Sequence, residues 1–156
     1  MPAPSRTFSQ VIASEHAGDL AVGALVDRAR LRDQLDRPGE ALLDFEVLAA
    51  MGDLTSAAVE IWATFAHCLL LTERFAKAEA TASRAIEVDA SFAQSWLYRA
   101  EARANLADWD GALADIDRLG TLDPEFGATD ARAAIEQARA AAETATPAAT
   151  PAATPD

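Results

Sequence analysis

Trp62 and Trp96 lie 34 residues apart, and their neighbourhoods recur with them. Ile61-Trp62-Ala63 returns as Ser95-Trp96-Leu97, Arg74-Phe75-Ala76-Lys77-Ala78 as Asp108-Trp109-Asp110-Gly111-Ala112, and Glu87-Val88-Asp89-Ala90 as Thr121-Leu122-Asp123-Pro124. An earlier copy lies upstream. Arg28-Ala29, Arg32, Leu35, Ala41-Leu42, Asp44 and Leu48 reappear 71 residues later as Arg99-Ala100, Arg103, Leu106, Ala112-Leu113, Asp115 and Leu119, one interval of 34 and one of 37. A fixed period in this range constrains the chain to a solenoid, because each unit buries its apolar face only by stacking on its neighbours. The units read as 22–58, 59–92 and 93–126, with the surplus residues of the first placed in the turn Gly52-Asp53-Leu54-Thr55-Ser56.

Within each unit the period is helical. Trp62, Phe65, Ala66 and Leu69 form one stripe at spacings of three and four, and Phe75, Ala78, Ala82, Ala85 and Ile86 form another over about 75–88. Roughly a quarter of the chain is alanine, the best helix former. Small residues recur where paired helices must approach closely, at Ala66, Ala78, Ala85, Ala100 and Ala112. Ser91 followed by Gln94 predicts a capping box, and Asp123-Pro124 predicts a helix stop. No sustained alternation of the strand type occurs, so the expectation is all-α.

These residues resemble the tetratricopeptide repeat family. The third copy carries the signature through Trp96, Ala100, Ala112, Ile116 and Pro124, and the second through Trp62, Phe65, Ala66, Leu69, Ala78 and Ala85. The second has Ala90 at the proline position. The first has Leu25 in place of tryptophan and Asp53 in place of proline. The resemblance implies a right-handed α-solenoid of three helix-turn-helix repeats plus a C-terminal capping helix. Trp62 and Trp96 are then expected in the core. Arg28 and Arg99 stand at a usually apolar position, and Arg32 and Arg103 at a usually aromatic one. Arg28 with Asp44, and Arg99 with Asp115, are each 16 apart, whereas the second copy has Phe65 and Thr81. Arginine and acid come and go together, which predicts a salt bridge between the paired helices of copies one and three.

Outside the repeats, 127–145 reads as a capping helix. Its apolar side is Ala131, Ile135, Ala138 and Ala142, and its polar side Arg132, Glu136, Arg139 and Glu143. The Thr-Pro-Ala-Ala tail of 146–156 reads as disordered. In the N-terminal segment 1–21, Phe8, Val11 and Ile12 share a helical stripe, fitting an extra helix or a docking arm.

A net charge of −12 disfavours nucleic acid and anionic membrane surfaces and favours a neutral or basic protein segment. No secretory h-region follows the N-terminus, no run reaches membrane-spanning length, and a lone cysteine fits a reducing compartment, so the expected location is cytoplasmic. No phosphate loop, nucleophile elbow or metal-binding helix motif is present, so catalytic, metal and cofactor sites are not expected. Cys68, at a core position of its repeat, reads as an inert buried thiol.

By the resemblance, the first helix of each pair lines a concave groove. The positions transferred are Val26, Arg30 and Asp33; Glu60, Ala63, His67 and Leu70; and Gln94, Leu97, Glu101 and Asn105, with Tyr98 at the lip. The Lys/Asn/Arg arrangement by which chaperone-binding relatives clamp a terminal carboxylate is missing, and Glu60 and Glu101 would disfavour an anion. The expectation is a non-catalytic adaptor or scaffold whose groove takes a neutral or basic segment with apolar anchors. The alternatives are self-association into a homo-oligomer through Phe8, Val11 and Ile12, or a small acidic chaperone for a secreted client.

Overall fold

The computed structural model describes residues 8–51 and 58–145, with side chains over 21–50 and 58–145. Seven helices and no strands occur among them: α1 (Phe8–Gln34), α2 (Pro38–Met51), α3 (Val59–Leu71), α4 (Phe75–Val88), α5 (Ala93–Asn105), α6 (Trp109–Leu122) and α7 (Ala128–Ala145). The chain folds as consecutive helix pairs, α1 with α2, α3 with α4 and α5 with α6, each pair packing on the next, and α7 packs on α6. Helix α1 runs unbroken from Phe8 through residue 22, so the second part of segment 1–21 is continuous with the first repeat helix. The side chains of Phe8, Val11 and Ile12, the turn at 52–56 and the tail at 146–156 lie outside the described residues.

The repeat is visible in what is buried. Ala29, Ala66 and Ala100 on the first helices, and Ala41, Ala78 and Ala112 on the second, are all fully buried. A larger residue at any of these places would hold the paired helices apart. Around these contacts the bulk is distributed differently in each copy. The second helices present Phe45 and Leu48 in α2, and Ile116 and Leu119 in α6. In α4 the same places are Ala82 and Ala85, and the volume comes instead from Phe65 and Leu69 on α3. Phe65 reaches across to stack on Phe45, with ring centroids 5.0 Å apart. Two apolar clusters result, one centred on Phe45, Leu48 and Leu69, the other on Ile116, Leu119 and Ile135.

Where Phe65 and Leu69 are replaced by arginine, a buried ionic link takes over. Asp44, 2 % exposed, accepts hydrogen bonds from Arg28 at 3.0 and 2.6 Å and from Arg32 at 2.7 Å. Asp115, also 2 % exposed, accepts from Arg99 at 2.9 and 2.7 Å and from Arg103 at 2.8 Å. Arg32 and Arg103 each donate in addition to a backbone carbonyl of the second helix, Glu40 and Gly111. The predicted bridges therefore exist, but each is a three-residue unit. Because the carboxylates are buried, the small value typical of exposed pairs does not apply. Arg28, hydrogen-bonded to Asp44, holds that carboxyl below its ordinary range, against the opposing effect of burial.

The turn within each pair is a third shared device. Asp36, Glu73 and Ala107 all adopt the left-handed conformation, with φ of 57°, 58° and 62°. The following N–H bonds back to the carbonyl five residues earlier, as Arg37 to Arg32, Arg74 to Leu69 and Asp108 to Arg103 at 2.8–2.9 Å. This Schellman geometry satisfies carbonyls that the helix end would leave open. Helix α6 stops before Asp123 as expected, and α4 stops before Asp89 without a proline. Both aspartates are extended, and each accepts from the backbone N–H two residues on, Ser91 at 2.8 Å and Glu125 at 3.1 Å. The capping box at Ser91 and Gln94 does not form. The Ser91 hydroxyl donates to Asp89 at 2.6 Å, a charged acceptor, and α5 starts from Phe92 with no side-chain cap.

Trp62 and Trp96 are half-buried at the margins of the two clusters, not in their centres. Arg84 lies 6.0 Å from the ring of Trp62, while Arg99 and Arg118 lie 4.9 and 5.9 Å from that of Trp96. The Trp96 indole donates to the Ala90 carbonyl at 2.9 Å. An indole has a polar edge that needs a partner, which accounts for Trp96 at the rim of its cluster; the Trp62 Nε1 is buried and has no hydrogen-bond partner among the described residues.

Candidate partner-binding groove

The first helices α1, α3 and α5 lie side by side, and the residues predicted to line a groove come from them. Three of those helices meet at one cluster. Asp33 of α1 sits 3.2 Å from Nδ1 of His67 on α3, and the Cys68 thiol donates to the same carboxylate oxygen at 3.3 Å. His67 in turn stacks on Tyr98 of α5, centroids 5.2 Å apart. Glu101, one turn beyond Leu97, lies in the field of His67.

Electrostatics in this cluster follow from confinement. Glu101 is open to solvent at its outer edge, yet the protein around the groove strips enough water to push its carboxyl above the ordinary value, while His67 pulls it back. Burial likewise raises the Tyr98 phenol, helped by the negative charges of Glu101 and Asp33. The Cys68 thiol is fully buried and pushed far up, first by desolvation and then by Asp33, so it is not a thiolate nucleophile.

Beside the cluster, an open cavity of about 270 Å3 lies between α5 and α7. Its lining is Leu97, Glu101, Ala104 and Asn105 of α5, Ile116 of α6, and Ala131, Ala134, Ile135 and Ala138 of α7. Apart from Glu101 and Asn105 this lining is apolar. Asn105 turns its amide to the Glu101 carbonyl at 2.9 Å, within its own helix. Helix α7 is held in place by Arg132, paired with Asp117, and by Arg139, 3.1 Å from Asp110, both acids of α6.

The predicted positions thus divide. Asp33, His67, Tyr98 and Glu101 converge, and Leu97, Glu101 and Asn105 open into the cavity. Val26 and Leu70 are half-buried and pack on the first apolar cluster, Gln94 is half-buried, and Arg30 and Glu60 are exposed. Ala63 is a correction. At 3 % exposure it is enclosed by neighbouring helices and offers a partner no surface. The α7 wall was missed as a site because Ala131, Ile135 and Ala138 read only as the packing side of a cap. The signal was there: Ile135 is the one large apolar residue of α7, too little to fill the space beside α5. Among the described residues no group of three or more potential metal ligands occurs, and no helix is long and apolar enough to cross a membrane.

The class of structure these helices define is an all-α helical-repeat solenoid. Comparison with solved structures makes it specific. The first TPR domain of human RPAP3 superposes with a TM-score of 0.68 at 22 % identity, covering 80 % of this chain and 97 % of that one. The first TPR of Spaghetti (RPAP3), bound to the HSP90 peptide SRMEEVD, gives 0.67 at 23 % identity, covering 78 % and 94 %. The Arabidopsis OM64 TPR domain gives 0.66 at 20 % identity, covering 75 % and 95 %. The fold of this chain is the tetratricopeptide-repeat fold. No family model and no curated protein matches the sequence.

Proposed function

We propose that this protein is a non-catalytic interaction module holding a segment of a partner protein against α1, α3, α5 and α7. The observation that carries this reading is the cavity between α5 and α7, a concave apolar patch with Glu101 and Asn105 as the polar groups to orient a ligand. Structural neighbours with HSP90 or HSP70 peptides bound show that the fold can serve this role. Those peptides, SRMEEVD and SGPTIEEVD, are acidic, whereas this groove presents Asp33, Glu60 and Glu101. A neutral or basic segment with apolar anchors suits it better. In this reading residues 22–126 form the repeat body in units 22–58, 59–92 and 93–126, residues 127–145 close the stack, and the protein works in the cytoplasm.

The test is affinity capture with the full chain and with Leu97→Asp as parallel baits, then titration of the captured protein. Leu97→Asp removes apolar contact and adds a charge to desolvate, so it should weaken binding at every salt concentration. Glu60→Lys with Glu101→Lys should change affinity mainly at low salt. If both variants stay folded and bind like the parent, the groove is not the site.

A further inference from the structure

We propose that the groove selects a basic amphipathic segment of its partner, seating an apolar side chain in the α5–α7 cavity and a lysine or arginine beside Asp33, Tyr98 and Glu101. This rests on the reading that the face of α1, α3, α5 and α7 is the binding surface. Charge complementarity commits it to a basic occupant. The acids buried between helices, Asp44 and Asp115, are each held by two arginines. Asp33 and Glu101 differ: among the described residues neither has a lysine or arginine partner, and the basic group they share is His67.

The hydrogen-bonding capacity points the same way. Asp33 accepts from Cys68, and its contact with His67 Nδ1 is a hydrogen bond when that nitrogen carries the proton. Neutral His67 then keeps Nε2 as an acceptor. Two carboxylates and an imidazole nitrogen make a site rich in acceptors and poor in donors, the complement of an ammonium or guanidinium group. Geometry supplies the spacing. Leu97 and Glu101 are one helical turn apart on α5, so a helix lying along α5 would present its apolar anchor and its base three or four residues apart.

A random-peptide display library selected on the full chain at neutral pH, with the enriched peptides then titrated against the parent and Leu97→Asp, tests this. The expected result is enrichment of sequences with an apolar residue three or four positions from a lysine or arginine. Such peptides should lose about tenfold or more in affinity for Leu97→Asp and several-fold for Glu101→Gln. Enriched peptides that are neutral or acidic yet lost by Leu97→Asp would overturn the charge rule while leaving the groove as the site. Peptides indifferent to Leu97→Asp, or no enrichment, would overturn both.

Discussion

In α1/α2 and in α5/α6 the two helices are joined by a carboxylate held between two arginines; in α3/α4 the same three places hold Phe65, Leu69 and Thr81. One position in the repeat is thus built with opposite chemistries, and each carries its own consequences for the surroundings. The apolar copy puts its apolar bulk on the first helix and has Ala82 and Ala85 on the second, where the ionic copies have Phe45 and Leu48, or Ile116 and Leu119. The apolar bulk therefore sits on the first helix in one copy and on the second helix in the other two, and its place changes together with the charge. The ionic unit tolerates no partial replacement, because its carboxylate is buried and both cations are aimed at it. The apolar version degrades by degrees, methylene by methylene.

Breaking one member of each kind gives the largest effects. Asp115→Ala leaves Arg99 and Arg103, with side chains 15 % and 22 % exposed, facing each other without the anion. The expected loss is about 3–5 kcal/mol in urea unfolding. Asp44→Ala should cost less, because Arg28 is 56 % exposed and its cation can turn to water. Phe65→Ala should cost about 3–5 kcal/mol as well, since it removes the stack on Phe45 and opens a cavity. Equal losses for Asp44→Ala and Asp115→Ala would show that solvent access to the arginines does not set the cost.

Exchanging the chemistry whole is the sharper test. Arg99→Phe, Arg103→Leu and Asp115→Thr together write the second copy into the third. The sum of single effects predicts collapse, but a complete exchange of a buried ion unit for apolar residues is often close to neutral. The triple variant should unfold within about 2 kcal/mol of the parent, the residual reflecting lost bonds from Arg103 to Glu79 and from Arg99 to Ser83, and crowding against Ile116 and Leu119. A loss as large as that of Asp115→Ala alone would mean that volume, not charge pairing, dictates which chemistry each copy can carry.

Acid should separate the two kinds of pair more gently. The Asp44 carboxyl titrates below its unfolded value, so the folded state binds fewer protons than the unfolded one. Its contribution to stability is fully present above about pH 4 and is lost as the pH falls through the lower, folded-state value. Urea midpoints measured downward from pH 5 should drop below about pH 4 in the parent and drop less in Asp44→Asn, which has nothing to protonate there. Parallel curves would assign the acid sensitivity to other carboxylates.

Much of this was legible beforehand, for identifiable reasons. Arginine at 28 and 99 coming with aspartate at 44 and 115, and both vanishing at 65 and 81, exposed a pairwise contact, because buried charge without its partner is too costly to persist. The small positions could be read because close helix approach admits little beyond alanine. What could not be read depended on competition between neighbours. Ser91 had two acceptable partners, its own helix start and Asp89, and the charged one prevailed. Both tryptophans matched a core signature yet lie at the rim; the Trp96 indole edge is held there by the Ala90 carbonyl, whereas the Trp62 Nε1 is buried without a partner. The cavity was hidden because it lies between α5 and α7, and its existence depends on how far the sparse apolar side of α7 falls short of filling that space.

The smallest expected effect concerns the turn, where all three copies agree in backbone and differ in residue. Asp36, Glu73 and Ala107 occupy the left-handed region that a Cβ makes unfavourable by about 1–2 kcal/mol. Glycine there removes that strain, but it also raises the entropy of the unfolded chain, which takes back about 0.4–1 kcal/mol. The balance depends on what is replaced. Aspartate tolerates the left-handed region better than alanine does, so Asp36→Gly should be close to neutral. Ala107→Gly should stabilise by about 0.5–1 kcal/mol, with the midpoint of thermal unfolding rising by a few degrees. Glu73→Gly should also stabilise, since a glutamate side chain is too long for the short-range backbone hydrogen bond that eases aspartate there. This ordering follows residue type and ignores whether the copy is ionic or apolar. If instead Asp36→Gly and Ala107→Gly behaved alike and Glu73→Gly stood apart, the chemistry between the paired helices would be reaching into the turn, and the three copies would have to be treated as coupled and not as independent solutions to one packing problem.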